Sequence, residues 1–179
     1  MRPARRRNGR AGCVTGWVAS ACRNENENAM TDSTGRLIVP VTDLPEEQAA
    51  SWLDAAETVH RQLRPAIPDP YVGHMRAMIA QGAEMAILVE GGIVRAVTVY
   101  RCYLTTYRGF RFYVDDLVTD EASRSCGHGE ALLDWLRQRA RQRGCQALDL
   151  DSGVQRIRAH RFYFREGMSI TAYSFTGTL

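Results

Sequence analysis

From residue 116 the chain reads Asp-Leu-Val-Thr-Asp-Glu-Ala-Ser-Arg-Ser-Cys-Gly-His-Gly-Glu, and an apolar helical stripe of Leu132, Leu133, Leu136 and Ala140 follows. A strand therefore ends, a Gly-x-Gly turn intervenes, and a helix begins. The first amides of a helix have no internal partner and carry the positive end of its dipole. Gly127 and Gly129 let a ligand approach the backbone without meeting a Cβ. Arg124 adds a guanidinium that pairs with a phosphate. Together these residues are expected to cradle a pyrophosphate. The turn is neither a Walker loop nor G-x-G-x-x-G, because Glu130-Ala131-Leu132 follows the second glycine.

Proton-transfer chemistry has fewer candidates. Asp115 and Asp116 adjoin on the strand before the turn, which sends them to opposite faces. By alternation Asp116 shares a face with Phe112 and Val114, where a carboxylate is a candidate base; either Asp could instead hold a cationic substrate. Asp149 and Asp151, at the end of the next strand, are alternates. His128 is expected to contribute its backbone amide rather than its ring. Cys126 has no paired His beside it in the sequence, which argues against a covalent acyl-enzyme. The remaining histidines, His60, His74 and His160, have no metal-ligand spacing, and no metal is expected.

Arg124-x-x-Gly127-x-Gly129 resembles the cofactor loop of the GNAT superfamily of N-acetyltransferases. A second match lies downstream, where Ala159-His160-Arg161-Phe162-Tyr163-Phe164-Arg165-Glu166-Gly167-Met168 is similar to that family's penultimate-helix segment. The resemblance spans roughly residues 36–176 and is dense over 113–168. It implies an α/β fold of GNAT type: a mixed, mostly antiparallel central sheet flanked by about four helices. It implies acetyl-CoA as co-substrate and transfer of the acetyl group to an amine by direct attack. The backbone of Leu117, Val118 and Thr119 is then expected to pair with the pantetheine arm, with an amide at Leu117 or Val118 polarising the thioester carbonyl. Arg124, Ser125, Cys126, Gly127, His128, Gly129 and Glu130 are expected around the pyrophosphate, and Tyr163 as the acid that protonates the departing thiolate. Arg156 stands where many members have Asn, so Ser152 or Asp151 is expected to replace that contact. A non-catalytic acyl-CoA sensor of the same fold is the alternative.

The elements that must hold these residues follow from periodicity. Arg36–Val41 reads as a strand. Pro45 opens a helix whose buried stripe is Ala49, Trp52, Leu53, Ala56, Val59 and Leu63, and a second helix runs Tyr71–Gln81. Strands are expected at Met85–Glu90 and Ile93–Tyr103, joined through Gly91-Gly92, and at Phe110–Val118. Helices at about 128–143 and 156–166 then alternate with strands at Cys145–Asp151 and Met168–Phe175. Arg137, Arg139, Arg141 and Arg143 read as a solvated helix face.

Composition narrows the class further. The chain has 179 residues, 45% of them apolar, which suits one packed domain. All 23 basic side chains are Arg, so neither a Lys Schiff base nor a P-loop Lys is available. Residues 1–29 hold six Arg and two Glu, while 30–179 hold 17 Arg against 18 Asp and Glu. The excess charge thus belongs to a leader, read as disordered or mis-started, and the domain is expected over 30–179. Its charge balance argues against a nucleic-acid partner. No apolar run reaches membrane-spanning length. Five cysteines without a C-x-x-C fit a reducing, cytoplasmic compartment. The expected partner is a small-molecule or peptide amine, and a homodimer is compatible with the reading.

Overall fold

The computed structural model describes residues 30–31 and 35–178; the leader expected over residues 1–29 lies outside the described residues. Among the described residues six strands form one sheet in chain order: β1 (Met30–Thr31), β2 (Leu37–Pro40), β3 (Glu84–Glu90), β4 (Ile93–Thr105), β5 (Gly109–Thr119) and β6 (Ala147–Leu150). Every pairing is antiparallel except β5 with β6, which is parallel. The α-helices among the described residues are α1 (Glu46–Leu63), α2 (Tyr71–Ala80), α3 (His128–Gln142) and α4 (Ile157–Arg165). The mixed, mostly antiparallel architecture expected from the sequence is present.

Each face of the sheet has its own core. On one face, Leu53, Ala56 and Val59 of α1 and Tyr71 and Met75 of α2 pack on Met85, Ile87, Val97 and Val99. On the other, Leu132, Trp135, Leu136 and Ala140 of α3 pack on Leu88, Ala96, Tyr100, Phe112 and Val114. Pro45 precedes α1, and Glu46 and Glu47 in its first turn complement the dipole. The Gly91-Gly92 turn takes positive φ at both positions, 60° and 77°, which only glycine adopts without a Cβ clash.

Three expectations change. No strand forms over Met168–Phe175, and the chain from Ser169 to Thr178 is exposed. Its apolar residues do not share a parity, since Ile170 falls on one side and Tyr173 and Phe175 on the other. No single face would therefore bury all three. Nor do Arg137, Arg139, Arg141 and Arg143 together make a solvated face, although Arg141 is exposed. Arg139 is buried and bonds Asp43 at 2.6 Å, Arg143 pairs with Glu84, and Arg137 bonds Asp134 at 2.8 Å.

The third change concerns β5. Val99 pairs with Asp116 but Tyr100 pairs with Val114, so Asp115 is an extra residue, a β-bulge. The bulge reverses the alternation. Phe112 and Val114 face α3, whereas Val118 joins the α1 and α2 core. Asp116 follows Val118 and meets side chains of α1, not the packing around Phe112.

Candidate functional site

β5 and β6 pair only from Arg111–Val114 against Ala147–Leu150. Beyond Val114, β5 continues along β4 alone through Leu117, Val118 and Thr119. Its other backbone edge has no strand partner among the described residues and opens on a groove of about 620 Å³. One wall is the turn from Ser123 to Glu130; the other is α4.

The turn is built for close approach. Ser125 has φ 66° and Gly127 φ 82°, so two left-handed residues bracket Cys126 and bring the chain sharply onto the start of α3. A non-glycine residue in that region is uncommon, and the strain at Ser125 marks a geometry the surroundings impose. A Cβ on Gly129 would lie 3.4 Å from Thr119 and 3.5 Å from the Phe162 ring, both groove residues. A Cβ there would thus sit in ordinary contact with both, and any longer side chain would extend into the groove. Amides of the first turn of α3, a φ-positive glycine and Arg124 surround one concave space, and this set fits a pyrophosphate.

Of the expected cofactor residues, Leu117, Val118, Thr119, Arg124, Ser125, Gly127, His128, Gly129 and Glu130 all line this groove. Cys126 is exposed outside it, and its carbonyl accepts from Arg36 Nη2 at 2.6 Å. Ser152 lies instead in a smaller pocket, with a buried hydroxyl that has no hydrogen-bond partner there. The His128 ring is 1% exposed and its Nε2 lies 3.1 Å from Glu90, so the imidazole serves the packing behind the turn. Glu90 also takes Arg36 Nε at 3.3 Å. The His128 bond first, and then Arg36, hold the Glu90 carboxyl below its ordinary value.

The smaller pocket, about 90 Å³, adjoins the groove. Asp115, Asp116, Asp151 and Ser152 line it together with Arg64 and Arg156. Asp116 Oδ1 accepts from Arg64 Nε at 2.6 Å, and Oδ2 lies 3.1 Å from His60 Nε2. His60 is 1% exposed, and its Nδ1 lies 2.9 Å from the Tyr71 hydroxyl. A carboxylate only accepts, so Nε2 carries a proton, and in the neutral imidazole the Tyr71 hydroxyl donates to Nδ1. Asp115 accepts from Arg101 Nε at 2.7 Å. Asp149 pairs with Arg108 and Arg111 and does not line the pocket.

Tyr163 of α4 lines both spaces. Burial pushes its phenol above the ordinary value, Arg156 counteracts the rise, and Asp116 adds to it. The phenol is thus kept as a proton donor at neutral pH. Sequence reasoning did not single out Arg36, Arg64, Glu90 or the role of His60. The available signal was His60 itself, four residues after Ala56 and so on the buried stripe of α1. A histidine at such a position needs polar partners.

Residues 47–168 match the family model described as "Acetyltransferase (GNAT) family". An uncharacterized N-acetyltransferase of Bacillus subtilis, YhdJ, is 33% identical over 109 residues, covering 60% of this chain and 77% of that protein. The aminoalkylphosphonate N-acetyltransferase of Salmonella typhimurium is 29% identical over 92 residues, covering 51% of this chain and 60% of that protein. Among solved structures, AAC(6')-Iy in complex with the bisubstrate analog CoA-S-monomethyl-acetylneamine has the same fold. Its TM-score is 0.66 at 13% identity, covering 80% of this chain and 97% of that one.

Proposed function

We propose, for a chain that belongs to the GNAT family of acetyltransferases, that it uses acetyl-CoA to acetylate a small primary amine carrying an acidic group. The observation that carries the reading is Tyr163, whose side chain borders the large groove and the small pocket at once. A donor in the groove and an acceptor in the pocket meet at that phenol.

Acetyl-CoA supplies a thioester whose acyl carbon is open to attack by a neutral amine. The first turn of α3 and Arg124 hold its pyrophosphate, and the free edge of Leu117, Val118 and Thr119 holds the arm. A backbone amide at Leu117 or Val118 stabilises the oxyanion. Asp116, which has lone pairs left beside its bonds to His60 and Arg64, takes the proton the amine gives up. Tyr163 gives a proton to the thiolate as the carbon–sulfur bond breaks.

The acceptor class follows from the pocket's size and mixed charge. About 90 Å³ suits a compact molecule rather than a polymer side face. Asp115, Asp116 and Asp151 favour an ammonium, and Arg64 and Arg156 favour an anion on the same molecule. The aminoalkylphosphonate named for the Salmonella relative has that charge pattern. A thiol-release assay with acetyl-CoA tests the reading. Aminoalkylphosphonates and amino acids should turn over, and uncharged alkylamines of equal size should turn over less. No thiol release with any primary amine would overturn it.

A further inference from the structure

Away from the groove, arginines are neutralised within the fold: Arg61 pairs with Glu57, Arg101 with Asp115, Arg139 with Asp43 and Arg143 with Glu84. The groove is different. Arg124, Arg158 and Arg161 line it, and none of them pairs with a carboxylate among the described residues. Arg165 lines it too, 68% exposed, with a 3.3 Å bond to Glu166, a carboxylate it shares with Arg137. Glu130 is the one acid among the described lining residues. A cleft lined by surplus charge of one sign concentrates ligands of the other.

Arg158, Arg161 and Arg165 follow one another at spacings of three and four on α4, so they share one face of the helix. All three are exposed, and they border the groove but not the smaller pocket. The column is unfavourable to the helix alone. Like charges three and four residues apart repel. Arg158 also stands in the first turn, at the positive end of the dipole, and no acid there offsets it. A bound anion relieves both. The first turn of α3 and Arg124 already serve the pyrophosphate from the other wall. The Phe162 ring joins the two walls: it lies 3.5 Å from where a Gly129 Cβ would be, and the Arg165 guanidinium lies 5.4 Å from its centre. The column therefore flanks the pyrophosphate turn across the groove.

We infer that Arg158, Arg161 and Arg165 form a subsite for a phosphate monoester lying beyond the pyrophosphate, which in acetyl-CoA is the 3′-phosphate of the ribose. The inference rests on acetyl-CoA as the donor and adds a selectivity to it: the chain distinguishes CoA from 3′-dephospho-CoA. A phosphate monoester carries about −1.5 to −2 charge at pH 7 and three acceptor oxygens, which suits more than one guanidinium. The arm and the pyrophosphate are common to both nucleotides, so the discrimination falls on α4.

Calorimetry on the full chain with CoA and with 3′-dephospho-CoA tests it. At low salt CoA should bind at least about tenfold tighter. The gap should narrow as ionic strength rises, because the three side chains are exposed. A triple variant, Arg158→Gln with Arg161→Gln and Arg165→Gln, keeps residues that favour a helix, so far-ultraviolet circular dichroism should not change. It should bind the two nucleotides within about threefold of each other. Equal affinities in the unmodified chain, with both nucleotides bound, would overturn the subsite and leave the donor reading standing. A preference that survives in the triple variant would overturn it as well, by assigning the phosphate to other residues. Binding of neither nucleotide would overturn the donor reading and the subsite together.

Discussion

Asp116 Oδ2 lies 3.1 Å from His60 Nε2 across 56 residues of sequence, and that contact joins β5 to the buried stripe of α1. It exists because the bulge at Asp115 turns Asp116 toward α1. Behind it, Tyr71 donates to the same imidazole, so one polar path crosses an otherwise apolar face. Removing the middle member should be costly. His60→Leu leaves a carboxylate and a hydroxyl short of a partner, and is expected to destabilise the domain by about 1–3 kcal/mol. Urea unfolding should show a lower midpoint with an unchanged slope.

Arg64 contrasts with His60. Its side chain is 54% exposed, so its pair with Asp116 should contribute only about 0–1 kcal/mol to stability. Arg64→Ala should instead raise KM for an anionic amine by at least about tenfold and leave KM for an uncharged amine within about threefold. Equal loss for both acceptors would remove Arg64 from acceptor recognition.

Gly129→Asp is expected to abolish acetyl-CoA binding without unfolding the domain. The new Cβ would contact Thr119 and Phe162 at the groove floor, and the carboxylate would add negative charge beside the first turn of α3. Calorimetry with acetyl-CoA and circular dichroism on the same sample check both halves.

Tyr163→Phe removes one oxygen and little packing. Cofactor affinity should fall by less than about tenfold, and kcat by roughly 10²–10⁴. The pH profile gives an independent check. The acting form is the protonated phenol, and burial raises its pKa, so the proton is retained beyond the ordinary tyrosine value. Deprotonation of Tyr163 should therefore cause no loss of kcat below about pH 10. A falling limb at about pH 8 that vanishes in Tyr163→Phe would contradict the upward shift of the phenol, and one that persists in Tyr163→Phe belongs to another group.

Arg36 ties β2 to the turn through the Cys126 carbonyl and to β3 through Glu90. Arg36→Met should loosen the turn, raising the acetyl-CoA dissociation constant about tenfold with kcat nearly unchanged at saturation.

The turn from Arg124 to Gly129 and the Tyr163 segment were legible because both are local: a strand end, two glycines and a helix start lie within a few residues. The Gly91-Gly92 hairpin was legible for the same reason. The face of Asp116 was not, because alternation fails at a bulge and nothing in Val114-Asp115-Asp116 announces one. Arg36 and Glu90 meet across 54 residues, and Arg64 and Asp116 across 52, separations that periodicity does not reach. Met168–Phe175 has strand-forming residues, but propensity does not say whether a sheet edge within the same chain receives them.

The parting of β5 from β6 also has an evolutionary consequence. In the proposed reading the donor lies between the Leu117–Glu130 stretch and α4, while Arg64, just after α1, lines the smaller pocket and not the groove. Substitutions at Arg64 can therefore retune which amine is accepted while leaving the groove lining intact. Descendants of such a chain can diversify in diet without relearning how to hold their acetyl source.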